Sequence, residues 1–125
     1  MFIIDSEANS VSEELILQNV PRFLDILRAR YPETPILIVT KVTYGPRYTE
    51  EIPVLKHVFR KIWLERLENG DKNIYFLDGS TFWEGGDYWE NTIDGAHPTD
   101  AGFALMAEKM EPVLRDLLKK YGHLK

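Results

Sequence analysis

Three short apolar runs constrain the fold most: FIID at 2–5, PILIVT at 35–40 and NIYFLD at 73–78. Each is nearly continuous in apolar residues rather than alternating, which marks strands covered on both faces, as in a parallel sheet. The segments between them read as helices. Leu15, Ile16, Val20, Phe23, Leu24 and Leu27 form a stripe over 12–30, where Ser10 and Glu13 are spaced as a capping box and Pro21 is placed to kink or divide the helix. Leu55, Val58, Phe59, Ile62, Trp63 and Leu67 form a second stripe over 50–68, stopped by Asn69-Gly70. A third helix starts near Asp100 and carries Phe103, Leu105, Met106, Met110, Val113, Leu114 and Leu117, with Pro112 placed to bend it. The order β-α-β-α-β-loop-α predicts right-handed crossovers and a flavodoxin-like three-layer α/β/α fold around a parallel sheet of about three strands. No repeat, low-complexity tract or linker divides the 125 residues, so they form part or all of one domain.

Composition narrows the partners. The net charge of −5 gives no global basic field for nucleic acid or an anionic membrane. The absence of cysteine excludes a disulfide scaffold and a thiolate nucleophile. No apolar run approaches the ~20 residues that span a bilayer, and Met1–Asp5 has neither the basic region nor the cleavage site of a signal peptide. A core strand beginning at Phe2 is the expectation for a chain cut from something longer, because domains usually start with loosely ordered residues.

In such folds ligands bind beyond the carboxyl ends of the strands. Here those ends lead into 6–10, 41–48 and 79–97, which hold nearly every residue suited to chemistry. The richest stretch is TIDGAHPTDAG at 92–102. Asp94 stands three residues before His97, Pro98 stiffens the turn, and Thr99 or Asp100 can cap the helix that follows. An imidazole held there is a general base if a carboxylate fixes its tautomer; otherwise the pair is a capped loop. Asp94, His97 and Asp100 also read as metal ligands, but the chain has three histidines in all, and His57 and His123 lie elsewhere, so no metal site is assigned. Trp83, Tyr88 and Trp89 flank Gly85-Gly86-Asp87; they either wall a substrate pocket, including one for sugar rings, or cover the core edge. Tyr44 and Arg47 either contact an acyl or anionic group or sit on a solvated loop.

DGAHPTDAGFALMAEKMEPVLR resembles the last sequence block of the SGNH (GDSL-like) hydrolases, where an Asp-x-x-His block before the final helix supplies two triad members. FIIDSEANS is similar to the strand and loop that carry the family's oxyanion-hole Asn, with Glu7-Ala8-Asn9-Ser10 in place of Gly-x-Asn-Asp, and PETPILIVTKVTYG and NIYFLDG resemble the next two strands. The resemblance implies that His97 is the general base, Asp94 its orienting partner and Asn9 an oxyanion donor, with a bond from Asp94 to His97 Nδ1 and with His97 and Asn9 on the same side of the sheet. The family's nucleophile belongs to a Gly-Asp-Ser block that would fall upstream of Phe2. The four serines present, Ser6, Ser10, Ser12 and Ser80, do not match it, and Asp78-Gly79-Ser80 reads as a turn after the last strand. Residues 1–125 are therefore expected to be the C-terminal portion of a single SGNH-hydrolase-like domain. Its function would be that of an O-acyl esterase or lipase acting on a small-molecule or carbohydrate ester, needing no cofactor and catalytically incomplete as it stands. The alternative is a non-catalytic flavodoxin-like binding module. The strand at 2–5, central in the family's sheet, becomes an apolar edge here. That predicts a homo-oligomer or pairing with a missing N-terminal segment.

Overall fold

The computed structural model describes residues 1–43, 55–83 and 88–125, the side chain of Tyr88 excepted. Three strands, β1 (Phe2–Asp5), β2 (Ile36–Val39) and β3 (Ile74–Leu77), form one sheet in the order β1-β2-β3. Both pairings are parallel, with Ile4 opposite Ile38 and Ile38 opposite Phe76. Among the described residues four helices accompany them: α1 (Glu13–Arg30), α2 (Lys56–Glu68), the single turn α3 (Tyr88–Asn91) and α4 (Asp100–Lys120).

The pleat of β2 explains the layering. Its alternate residues point to opposite faces, and all four are buried. Ile36 and Ile38 pack with Ile16 and Leu24 of α1 and with Val58, Phe59 and Ile62 of α2. Leu37 and Val39 pack with Phe82, Trp83 and Leu117, the last from α4. The sheet is thus covered by α1 and α2 on one face and by α4 on the other, the expected flavodoxin-like arrangement, here with three strands.

β1 departs from the expectation of a strand buried on both faces. Phe2 and Ile4 pack into the first cluster, but Ile3 is 46% exposed and Asp5 is also exposed. Among the described residues β1 pairs only with β2, and α4 does not cover its outer part. The apolar side chain of Ile3 therefore opens onto a groove rather than onto core.

Two local readings also change. Ser12, not Ser10, caps α1, its Oγ accepting from Leu15 N at 3.3 Å; Ser10 is drawn into the preceding turn, where its Oγ donates to Ser6 O. α1 runs unbroken through Pro21. Tertiary contacts hold the helix there: Arg66 of α2 donates to Pro21 O at 3.0 Å and also pairs with Asp25, one turn further on. At the amino ends of the strands Arg28 ties several segments together, donating to Asp71, to Thr34 O and to Asn73 O. The opposite ends are thereby left to carry function.

Candidate active site

Beyond the carboxyl ends of β1 and β2 lies a pocket of about 380 Å³. β1 contributes Ile3 and Asp5. The 3-10 turn Glu7–Asn9 contributes Ala8 and Asn9, the exit of β2 contributes 39–42, and the 92–98 loop contributes Ala96, His97 and Pro98. Phe103, Met106 and Met110 of α4 form the far wall. His97 and Asn9, some ninety residues apart in sequence, thus line the same pocket, on the same side of the sheet.

The loop carrying His97 is closed by its own backbone. Thr92 and Pro98 form an antiparallel bridge, Ile93 N donates to His97 O at 2.9 Å and Thr99 N to Asn91 O at 2.9 Å. Gly95 turns the chain at φ +84°, a region L side chains avoid, and its N–H donates to Thr92 Oγ1. Asp94 then fills the loop. Its Oδ1 accepts from the backbone N–H of Ala96 (3.0 Å) and of His97 (2.9 Å), while Oδ2 meets His97 Nδ1 at 2.8 Å. That last distance is inside hydrogen-bond reach, as the resemblance to the SGNH hydrolases implies. These bonds to the charged form, the backbone N–H of His97 first, hold the Asp94 carboxyl far below the usual carboxylate range. Asp94 is therefore anionic at neutral pH and acts as acceptor, so His97 Nδ1–H is the donor of this bond. In the neutral imidazole that tautomer leaves on Nε2 the lone pair a general base requires. The His97 side chain is 78% exposed, so a reacting group can approach it.

The helix that follows begins where it does because Thr99 caps it, Oγ1 accepting from Gly102 N at 3.2 Å. Gly102 permits close contact: a Cβ there would sit 2.2 Å from Asn91 O. Gly102→Ala is expected to push α4 away from the base of the His97 loop. The cost should be about 1–3 kcal/mol, read as a lower urea midpoint with an unchanged denaturant slope.

Two other groups at the pocket have shifted acidities. Burial, and then the nearby charge of Glu7, raises the Asp5 carboxyl. Burial lowers Lys41, against an opposing pull from Glu7. Sequence reading passed over Asp5, Thr40 and Lys41 as site residues. The available signal was position, since each stands at the carboxyl end of an apolar run.

Of the expected substrate contacts, Trp83 does not line the pocket. It is 8% exposed and belongs to the core cluster with Leu37, Val39 and Leu117, the core-edge reading of that residue. Trp89 is exposed and its ring lies against Gly95, about 3.6 Å from where a Cβ would stand, so it braces the loop from outside. Tyr44, Arg47 and Gly85-Gly86-Asp87 lie outside the described residues. None of the four serines lines the pocket. Ser10 bonds within its turn, Ser12 caps α1, and Ser80 is held by Asp78 and by Lys56 Nζ at 2.7 Å. Ser6, beside the pocket turn, offers its carbonyl to Asn9 N and Ser10 Oγ.

Comparison with known proteins sharpens this picture. The model of the GDSL-like Lipase/Acylhydrolase family matches residues 1–115. No curated protein matches. Among solved structures, the chain is similar to "Salicylyl-Acyltransferase SsfX3 from a Tetracycline Biosynthetic Pathway", at TM-score 0.74 and 20% identity over 98% of this chain. At that identity the likeness is one of fold. The chain spans 38% of the length of that protein.

Proposed function

The chain belongs to the GDSL-like lipase/acylhydrolase family, and on that premise we propose that it supplies the base, the orienting carboxylate and an oxyanion donor of a serine-dependent O-acyl ester hydrolase. One observation carries this reading: the His97–Asp94 pair, Nδ1 to Oδ2 at 2.8 Å, stands at a pocket that Asn9 also lines. A serine hydroxyl attacks the ester carbonyl and passes its proton to His97 Nε2. Asp94 stabilises the imidazolium that forms. His97 then returns the proton to the leaving alcohol and later activates water for deacylation. The Asn9 carboxamide donates to the developing oxyanion, a contribution of about 3–4 kcal/mol for a well-placed donor. The substrate is a small-molecule or carbohydrate ester.

The nucleophile comes from polypeptide outside these 125 residues. Two facts support this: the placement of the four serines away from the pocket, and the 38% share of the structurally similar protein that the chain spans. A fluorophosphonate probe, which labels only an activated serine, tests it. The 125-residue chain is expected to remain unlabelled, and a longer polypeptide containing the upstream serine to label stoichiometrically, with loss of labelling in His97→Ala. Stoichiometric labelling of Ser6, Ser10 or Ser80 in the short chain overturns the assignment.

The same reading bears on assembly. Among the described residues the outer edge of β1 has no strand partner, and it stands with the exposed side chains of Ile3 and Phe103, a combination that favours pairing. The isolated chain is expected to self-associate. A monodisperse monomer by light scattering at micromolar concentration contradicts this.

A further inference from the structure

Glu7, in the turn that brings Ala8 and Asn9 to the pocket, is an acidic residue only 4% exposed. Burying a carboxylate is costly unless its oxygens are hydrogen-bonded. Here Oε2 accepts from Lys41 N at 3.0 Å and Oε1 from Leu55 N at 3.0 Å. Lys41 is the second residue beyond β2, and Leu55 is the residue from which α2 starts. One carboxylate thus gathers three segments that meet at the strand ends: the 3-10 turn Glu7–Asn9, the exit of β2 and the start of α2.

The turn needs such an anchor. The bonds of its own backbone and of Ser10 run within it: Asn9 N to Ser6 O, Ser10 N to Glu7 O and Ser10 Oγ to Ser6 O. Internal bonds fix the shape of the turn but not its place on the sheet. Glu7 and Asn9 lie at opposite ends of the same three-residue turn, one side chain directed into the protein and the other lining the pocket. Holding the first places the second. We propose that Glu7 is a positioning residue for Asn9, fixing through the Lys41 and Leu55 N–H groups where the Asn9 carboxamide stands over the pocket. The significance of that placement rests on the role given to Asn9 above.

Amide exchange and 15N relaxation test it without requiring turnover, so the positioning and the esterase reading fail separately. In the wild-type chain the Lys41 and Leu55 amides should be protected, and the Asn9 backbone should be as rigid as a secondary-structure element, with an order parameter of about 0.85. Glu7→Gln keeps a single oxygen acceptor. It is expected to release one of the two N–H groups, raising that amide's exchange at least tenfold, and to shift the Asn9 side-chain NH2 signals, while α4 amides are unchanged. Glu7→Ala should release both and drop the Asn9 order parameter below about 0.6. Unprotected Lys41 and Leu55 amides in the wild type would overturn the proposal whether or not the variants fold. So would a folded Glu7→Gln protein whose Lys41 or Leu55 amide is released while every Asn9 signal stays in place.

Discussion

His97→Ala is expected to lower ester turnover of the complete enzyme by about 10⁴-fold or more, with little change in fold. The magnitude follows from removing the base of an intact serine triad, where the loss greatly exceeds the value of any one hydrogen bond. The small structural cost follows from the site: the imidazole is mostly exposed, and the loop is closed by backbone bonds that alanine retains. Asp94→Asn should cost about 10⁴-fold for a different reason. An amide there can donate to Nδ1 and invert the tautomer, which places the proton on Nε2, where the lone pair is needed. The pH profile adds a check. The Asp94 carboxyl is depressed in the folded protein, so its charged contacts are fully present above the ordinary carboxylate value of about 3.9 and are lost only as pH falls through the lower folded value. An acid-side fall in rate above about pH 4 therefore does not report Asp94. Turnover in the complete enzyme within tenfold of wild type for His97→Ala would remove His97 from the chemistry.

The same pair illustrates what could be read in the sequence. Asp94, His97 and the glycine and proline around them are local; their spacing fits either an oriented base or a capped loop, and the block's resemblance to the SGNH hydrolases is what implies the hydrogen bond found here. The strands were legible for a similar reason, since β2 is buried on both faces and its apolar run is uninterrupted. Long-range facts were not legible. Nothing in FIID says that Ile3 faces a groove, because exposure depends on which strand lies alongside. Trp83 was equally suited to a pocket or the core, and only its packing against Leu37 and Leu117 decides. Nothing local marks Glu7 as buried; that depends on the N–H groups of Lys41 and Leu55, 34 and 48 residues away.

Gly79→Ala should be the most damaging methyl group that can be added near the site. Gly79 is buried just after β3, and a Cβ would lie 2.0 Å from Thr40 O and 2.9 Å from Thr40 C. Both atoms belong to backbone at the end of the central strand, so no side chain can rotate away. The Gly79 N–H also donates to Thr40 Oγ1 at 3.0 Å, and Thr40 in turn donates to Asp78. Relief of the clash therefore breaks a buried bond as well as displacing chain. A cost at or above the ~3 kcal/mol upper range for overpacking is expected, equivalent to roughly 10 °C or more in Tm for a domain of this size. Thr40 and Lys41 line the pocket, so whatever protein still folds should also bind substrate more weakly. Thermal denaturation with an unshifted midpoint would show that the contact relaxes at no cost.

The loop from Asn91 to Thr99 closes on itself: a backbone bond at its neck, a bridge inside that, and a carboxylate at its centre. A ring of that size resembles a macrocycle more than a segment of a domain. Its closure is as local as that of a β-hairpin, which forms in about 1–10 μs, whereas parallel strands separated by whole helices assemble late. The spacing between imidazole and carboxylate is thus set by short-range bonds within the loop. Evolution can lengthen, shorten or redecorate the surrounding scaffold, altering what enters the pocket, without retuning the spacing between imidazole and carboxylate.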